Sequence, residues 1–280
     1  MNKQPSTNPF LFALSMLTRI PVKTGEVPDS AWKWISASFA ECGYIIGAVA
    51  AAPAIVLPVA NIAAGKYITG FILLPGYAVN LISALLFVIL TAWMTRLFHL
   101  DGFCDSCDAF SAVTESKERR LEIMKDPHPG AVAVCTSSLL LLSKTILIFL
   151  IIQRAMESGD LKLFIIAALP ALIAVPVFAR FAMTTLAAVG KYPRSKGTGK
   201  TVIENTTYLS VIIGLITVIP VAILITPYSL ISAAILILIT IFYWKRKADK
   251  LLGGVTGDIL GACCETAECA AALGLLLALH

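Results

Sequence analysis

An all-α, polytopic transmembrane bundle of about seven spans plus a short interfacial helix is the fold class this sequence predicts. Three observations predict it. The 280 residues are 58% apolar (AVILMFWYC) and only 14% charged, with a mean hydropathy of +0.85; an ordinary soluble domain runs near ~25% charged. Apolar stretches of about 20 residues, the length that crosses a bilayer, recur along the chain. Lysine and arginine concentrate in alternate loops. A soluble fold of this length could not bury so much apolar surface, and a disordered chain needs the opposite balance. The net charge of +5 is therefore an orientation signal, and nucleic acid is not an expected partner.

The spans are expected at 36–60, 70–98, 130–153, 163–190, 208–226, 228–244 and 258–279. The fifth and sixth are separated only by a very short turn at Thr226–Pro227–Tyr228. Pro53, Pro58, Pro75, Pro170, Pro176 and Pro220 fall within these stretches; neighbouring helices in a membrane re-satisfy the backbone groups that proline frees. Between the second and third spans, SKERRLEIMKDPHPG places Leu121, Ile123 and Met124 among charged residues, the pattern of a short helix lying in the interface. No internal repeat, low-complexity tract or cleavable signal is visible, so residues 1–280 read as one integral-membrane catalytic domain.

Sixteen basic residues fall in four groups: Lys3, Arg19, Lys23 and Lys33; Lys117, Arg119, Arg120 and Lys125; Lys191, Arg194, Lys196 and Lys200; Lys245, Arg246, Lys247 and Lys250. The alternate loops hold three, Lys66, Arg154 and Lys162. Cytoplasmic loops carry the excess of Lys and Arg. The expectation is a multi-pass cell-membrane protein with a cytosolic N-terminus, an outer C-terminus and a site facing the cytoplasm. The odd count of seven cysteines, several in apolar runs, suits a reducing compartment rather than a disulfide framework. Cys104 and Cys107 form one CxxC without a histidine at ligand spacing, a poor basis for a zinc site.

The acidic residues carry the chemistry. Asp101, Asp105 and Asp108 in HLDGFCDSCDAF stand at offsets of 0, 4 and 7, on one helical face at the cytosolic end of the second span. Like charges so close repel, and a hard divalent cation removes the repulsion. Mg²⁺ takes oxygen ligands and bridges carboxylates to substrate phosphates. Asp258, Glu265 and Glu268, at offsets of 0, 7 and 10 in the last span, form a second acidic face, with Asp258 nearest the first cluster. Glu41, Lys144 and Arg180 are further charges inside apolar stretches, where ionisable residues are functional or paired with one another. The metal set is thus Asp101, Asp105, Asp108 and Asp258, with Asp108 and Asp105 as catalytic candidates and Asp108 the first choice of base. Glu41, His99, Lys125, Asp126, Arg180, Arg194, Glu265 and Glu268 are candidates for holding substrate, Glu268 through a cation such as Arg180. Carboxylates for a metal and cations for phosphate on one face suit phosphoryl transfer.

At LTRIPV (17–22), HLDGFCDSCDAF (99–110), RRLEIMKD (119–126) and GGVTGDILGACCETAE (253–268), the chain resembles the adenosylcobinamide-GDP ribazoletransferase, or cobalamin-5′-phosphate synthase, family. The resemblance spans nearly the whole chain in the same order. It departs at Ala109, where the family usually has glycine, and at DPHPGAVA, where the family reads close to DSRIGAFG. The resemblance implies a Mg²⁺-dependent membrane enzyme of cobamide nucleotide-loop assembly. Adenosylcobinamide-GDP would be joined to α-ribazole or its 5′-phosphate with release of GMP. Self-association is left open. Two alternative classes share some of these features. A CDP-alcohol phosphotransferase requires Ala-Arg where Asp105 and Ser106 stand. A secondary transporter places its site near the midplane and shows paired repeats, whereas these acids gather at one surface.

Overall fold

The computed structural model describes residues 8–25, 27–67 and 74–277, and every regular element among them is helical. Chain-local chemistry sets many of the helix ends. The first helix, α1 (Pro9–Leu17), starts under an Asn8 cap with proline at its first position. A short 3₁₀ turn (Asp29–Ala31) leads into α2 (Trp32–Ala37), and α3 (Phe39–Tyr67) follows after a break at Ser38. Next come α4 (Gly76–Met94), α5 (Phe98–Ser111) and α6 (Lys117–Ile123), the last capped by the Ser116 hydroxyl on the Arg119 amide at 3.1 Å.

The long helices α7 (Ala131–Met156) and α8 (Leu161–Val189) precede α9 (Thr198–Asn205) and α10 (Tyr208–Ala222). Asp160 caps α8 through the Leu163 amide at 2.9 Å. Thr226 and Pro227 open α11 (Pro227–Leu252), which Gly253 ends in the left-handed conformation at φ +81°. The chain closes with α12 (Gly257–Leu277).

Helices α3, α4, α7, α8, α11 and α12 are each long and apolar enough to span a bilayer. The fifth predicted span is the shorter α10, 15 residues long and bent 92° from α9. The chain therefore builds a polytopic helical bundle, with six or seven candidate spans among the described residues. Its centre is α12: 72% of its most apolar stretch is buried, against 22% for α7, which faces outward. The predicted interfacial helix is α6, and its Arg120, buried, donates to the Ala109, Phe110 and Thr114 carbonyls and so ties off the end of α5.

Several predicted boundaries are corrected. The second span does not run to residue 98; it stops at Met94, because Arg96 and Leu97 take left-handed backbone (φ +54° and +57°) and turn the chain into a separate helix α5. The predicted start of that span at 70 lies outside the described residues, as do residues 278 and 279, and Pro75 precedes α4 instead of lying within it. The first span begins at Phe39, not 36. The sixth continues two turns past 244, so Lys245, Arg246, Lys247 and Lys250 ride on helix α11 rather than in a loop.

Candidate active site

The connections α4–α7, α8–α10 and α11–α12 lie at one end of the bundle and pack on one another. Arg194 reaches the Leu121 carbonyl at 3.0 Å, and the Val255 amide donates to the Lys191 carbonyl at 2.8 Å. Two glycines let α5 and α12 cross with backbones nearly touching. A Cβ on Gly102 would stand 2.8 Å from the Asp258 Cα and carbonyl oxygen, and one on Gly261 would stand 3.0 Å from the His99 carbonyl oxygen. No side chain fits between the helices there. The crossing therefore seats Asp258 beside the face of α5 that carries Asp101 and Asp105.

The cluster is electrostatically unbalanced. Asp105 makes no hydrogen bond or ion pair among the described residues. Burial first, then Asp101, Asp258 and Asp108, push its carboxyl up to about 7, while Arg194 opposes the rise. Arg194 is the cation that opposes this charge; it donates to the Leu121 carbonyl, and its Nε is buried without a hydrogen-bond partner, in a guanidinium of the type that recognises phosphate. Asp108 is committed differently. Its two carboxylate oxygens accept the Gly130 amide at 2.6 Å and the Ala133 amide at 2.9 Å, so it caps α7 from another helix.

No three His, Cys, Asp or Glu side chains among the described residues converge as a ready-made metal cage. The donor set nevertheless suits Mg²⁺. It is all oxygen, it is mutually repelling, and Mg²⁺ needs only one or two carboxylates together with substrate phosphates and water.

The second set is brought together elsewhere. Lys144 of α7 pairs with Glu265 and, at 2.6 Å, with Glu268 of α12; Arg180 of α8 pairs with Glu268. All four are buried. Arg180, Glu265 and Glu268, read from sequence as substrate-holding, thus neutralise one another and Lys144 across three spans. A carboxylate in hydrocarbon needs such a partner. His99 is fully buried at the α5–α12 crossing with neither ring nitrogen hydrogen-bonded. Burial, and then Arg180, holds it down to about 3, so the ring is neutral, and it offers no surface to a ligand. Glu41 is half-buried in the first turn of α3. Lys125 and Asp126 are exposed on the turn after α6, where Asp126 accepts the His128 amide at 3.0 Å.

Sequence reasoning missed a large cavity, about 860 Å³, which opens beside Asp101 between α1, α2, the α4–α5 break, α9 and the start of α12. Arg96 lines it; a left-handed arginine leaves no sequence signal.

Comparison with known proteins bears on what such a site does. The family model described as cobalamin-5-phosphate synthase matches residues 9–276. A protein of Stutzerimonas stutzeri (strain A1501) named adenosylcobinamide-GDP ribazoletransferase is 29% identical over 270 residues, 96% of this chain and 98% of its own length. One of the same name from Acinetobacter baumannii (strain ACICU) is 29% identical over 263 residues, 93% of each chain. Another from Pseudomonas putida (strain W619) is 34% identical over 208 residues, covering 74% of this chain and 79% of its own. No solved structure matches the chain.

Proposed function

The chain belongs to the cobalamin-5-phosphate synthase family, and from that premise we propose that it is a Mg²⁺-dependent adenosylcobinamide-GDP ribazoletransferase acting at the cytosolic membrane face. The observation that carries the mechanism is the α5–α12 crossing, which gathers Asp101, Asp105 and Asp258 within the field of Arg194, with Asp101 also lining the cavity.

In this reading Asp101 and Asp258 hold Mg²⁺, which when bound supplies charge neutralisation to the diphosphate and to departing GMP. Arg194 offers the guanidinium charge that would bind a phosphate oxygen. A ribose hydroxyl of α-ribazole, or of its 5′-phosphate, attacks the phosphorus that bears cobinamide. The new P–O bond forms as the bond to the bridging diphosphate oxygen breaks, GMP leaves with that electron pair, and the hydroxyl proton passes to Asp105. Asp105 is favoured over Asp108 as the proton acceptor because its oxygens are free, whereas those of Asp108 are engaged by two backbone amides. Phosphoryl transfer asks mainly for positioning and charge stabilisation, which rigid helices α5 and α12 supply.

The transfer is tested by reconstituting the purified chain in liposomes with adenosylcobinamide-GDP and α-ribazole. Equimolar GMP and cobamide product with Mg²⁺, and neither with chelator, is the expected result; uptake without GMP release would favour a transporter. Orientation rests on the sixteen-to-three basic asymmetry. Single cysteine probes beside Arg154 should react with an impermeant reagent from outside, and probes beside Lys196 should not. The reverse pattern would put the site on the outer face.

A further inference from the structure

The large cavity beside Asp101 has a composition that selects among the substrates. Its walls carry the aromatic rings of Phe12, Trp32, Phe39 and Phe98 and the thioethers of Met16 and Met183. Phe12 and Trp32, both lining it, meet edge to face with ring centroids 5.5 Å apart, an aromatic pair of the kind that takes up a planar apolar group. Two charged residues line the space, Asp101 and Arg96. Arg96 and Leu97, both lining residues, are the two non-glycine residues with left-handed backbone among those described. Strain of that kind gathers at ligand clamps.

We infer that this cavity binds the aromatic base of the acceptor nucleoside, with Phe12 and Trp32 as its specificity-determining contacts. The inference rests on the transferase reading for the identity of the two substrates. Its volume of about 860 Å³ falls in the ~300–1,000 Å³ range that drug-sized ligands fill. The benzimidazole nucleoside α-ribazole fits that range. A corrinoid brings a ring of amide side chains that this largely apolar lining would leave short of hydrogen-bond partners. The diphosphate of adenosylcobinamide-GDP would bring two negative charges to a space with one arginine and one opposing aspartate. An uncharged bicyclic aromatic base has no such conflict. Seated among the rings, it leaves its ribose at Asp101, on the side of α5 that leads to Asp105. The corrinoid diphosphate then approaches from the Arg194 side, so the two substrates meet across the acidic cluster from opposite directions.

The experiment uses the full chain in liposomes or nanodiscs and begins with binding of α-ribazole alone, by calorimetry, with no second substrate. Saturable binding by the wild type is expected, weakened about tenfold by Trp32→Ala, as loss of one base–aromatic contact implies, and largely kept by Trp32→Phe. Phe12→Ala gives a second, independent reading. In turnover, Trp32→Ala should raise KM for α-ribazole about tenfold while KM for adenosylcobinamide-GDP stays within about twofold. A rise in KM for adenosylcobinamide-GDP with none for α-ribazole would overturn the inference and assign the cavity to the other substrate. Binding of α-ribazole that ignores both substitutions would also overturn it. Wild-type protein that binds α-ribazole through Trp32 yet transfers nothing would sink the transferase reading and leave the cavity's ligand class standing.

Discussion

Glu268 is the pivot of the charges buried among the spans, and removing its charge tests whether those residues serve stability or catalysis. In Glu268→Gln, Lys144 keeps Glu265, but Arg180, fully buried, loses the carboxylate it pairs with. Stripping one partner from a buried ion pair costs about 3–5 kcal/mol, because the remaining charge stays uncompensated. Lys144 holds a second carboxylate, so most of that loss falls on Arg180. At about 2–4 °C per kcal/mol for a chain approaching this size, thermal unfolding in nanodiscs should fall on the order of 10 °C. The double variant Arg180→Gln with Glu268→Gln, which removes both charges, should recover a substantial part of the loss. The surviving folded enzyme should need the same Mg²⁺ concentration as the wild type. Unchanged stability in the single variant, with no recovery to measure in the double, would refute the structural role.

Other consequences follow from the same geometry. Asp108→Ala should lower stability by about 0.5–2 kcal/mol through loss of the α7 cap, read by denaturant unfolding, so its effect on turnover must be corrected for folded fraction. Gly102→Ala places a methyl 2.8 Å from the Asp258 backbone; overpacking of about 1–3 kcal/mol is expected, with turnover falling by more than stability alone explains, since a misplacement near 1 Å can cost about a hundredfold. Because the Asp105 carboxyl is raised to about 7, it gains a proton as the pH falls below that value and the cluster then attracts Mg²⁺ less. Calorimetric Mg²⁺ affinity without substrates should therefore rise between pH 6 and 8. That rise should vanish in Asp105→Asn, and a flat profile in the wild type would contradict the assignment.

What the sequence made legible was set by period and length. Seven apolar stretches became seven helices, and the offsets of Asp101, Asp105 and Asp108 correctly described one face of α5. The break before α5 was hidden because Arg96 and Leu97 adopt left-handed backbone without a glycine to announce it. The extension of α11 was hidden because its last two turns are charged, and hydropathy reads charge as loop. Spacing along one helix also cannot name a partner on another. Glu265 and Glu268 were visible as costly charges, but their pairing with Lys144 and Arg180 depends on how α7, α8 and α12 pack. Asp108 caps a helix whose N-cap residue, Gly130, lies 22 residues further on, beyond the reach of local capping signals.

The most direct test of the central claim, that the α5–α12 crossing builds the Mg²⁺ site, is the Mg²⁺ concentration giving half-maximal transfer in wild type, Asp258→Asn and Glu268→Gln. The account predicts a higher requirement in Asp258→Asn and an unchanged one in Glu268→Gln. Equal requirements in wild type and Asp258→Asn, or a shift confined to Glu268→Gln, would contradict it.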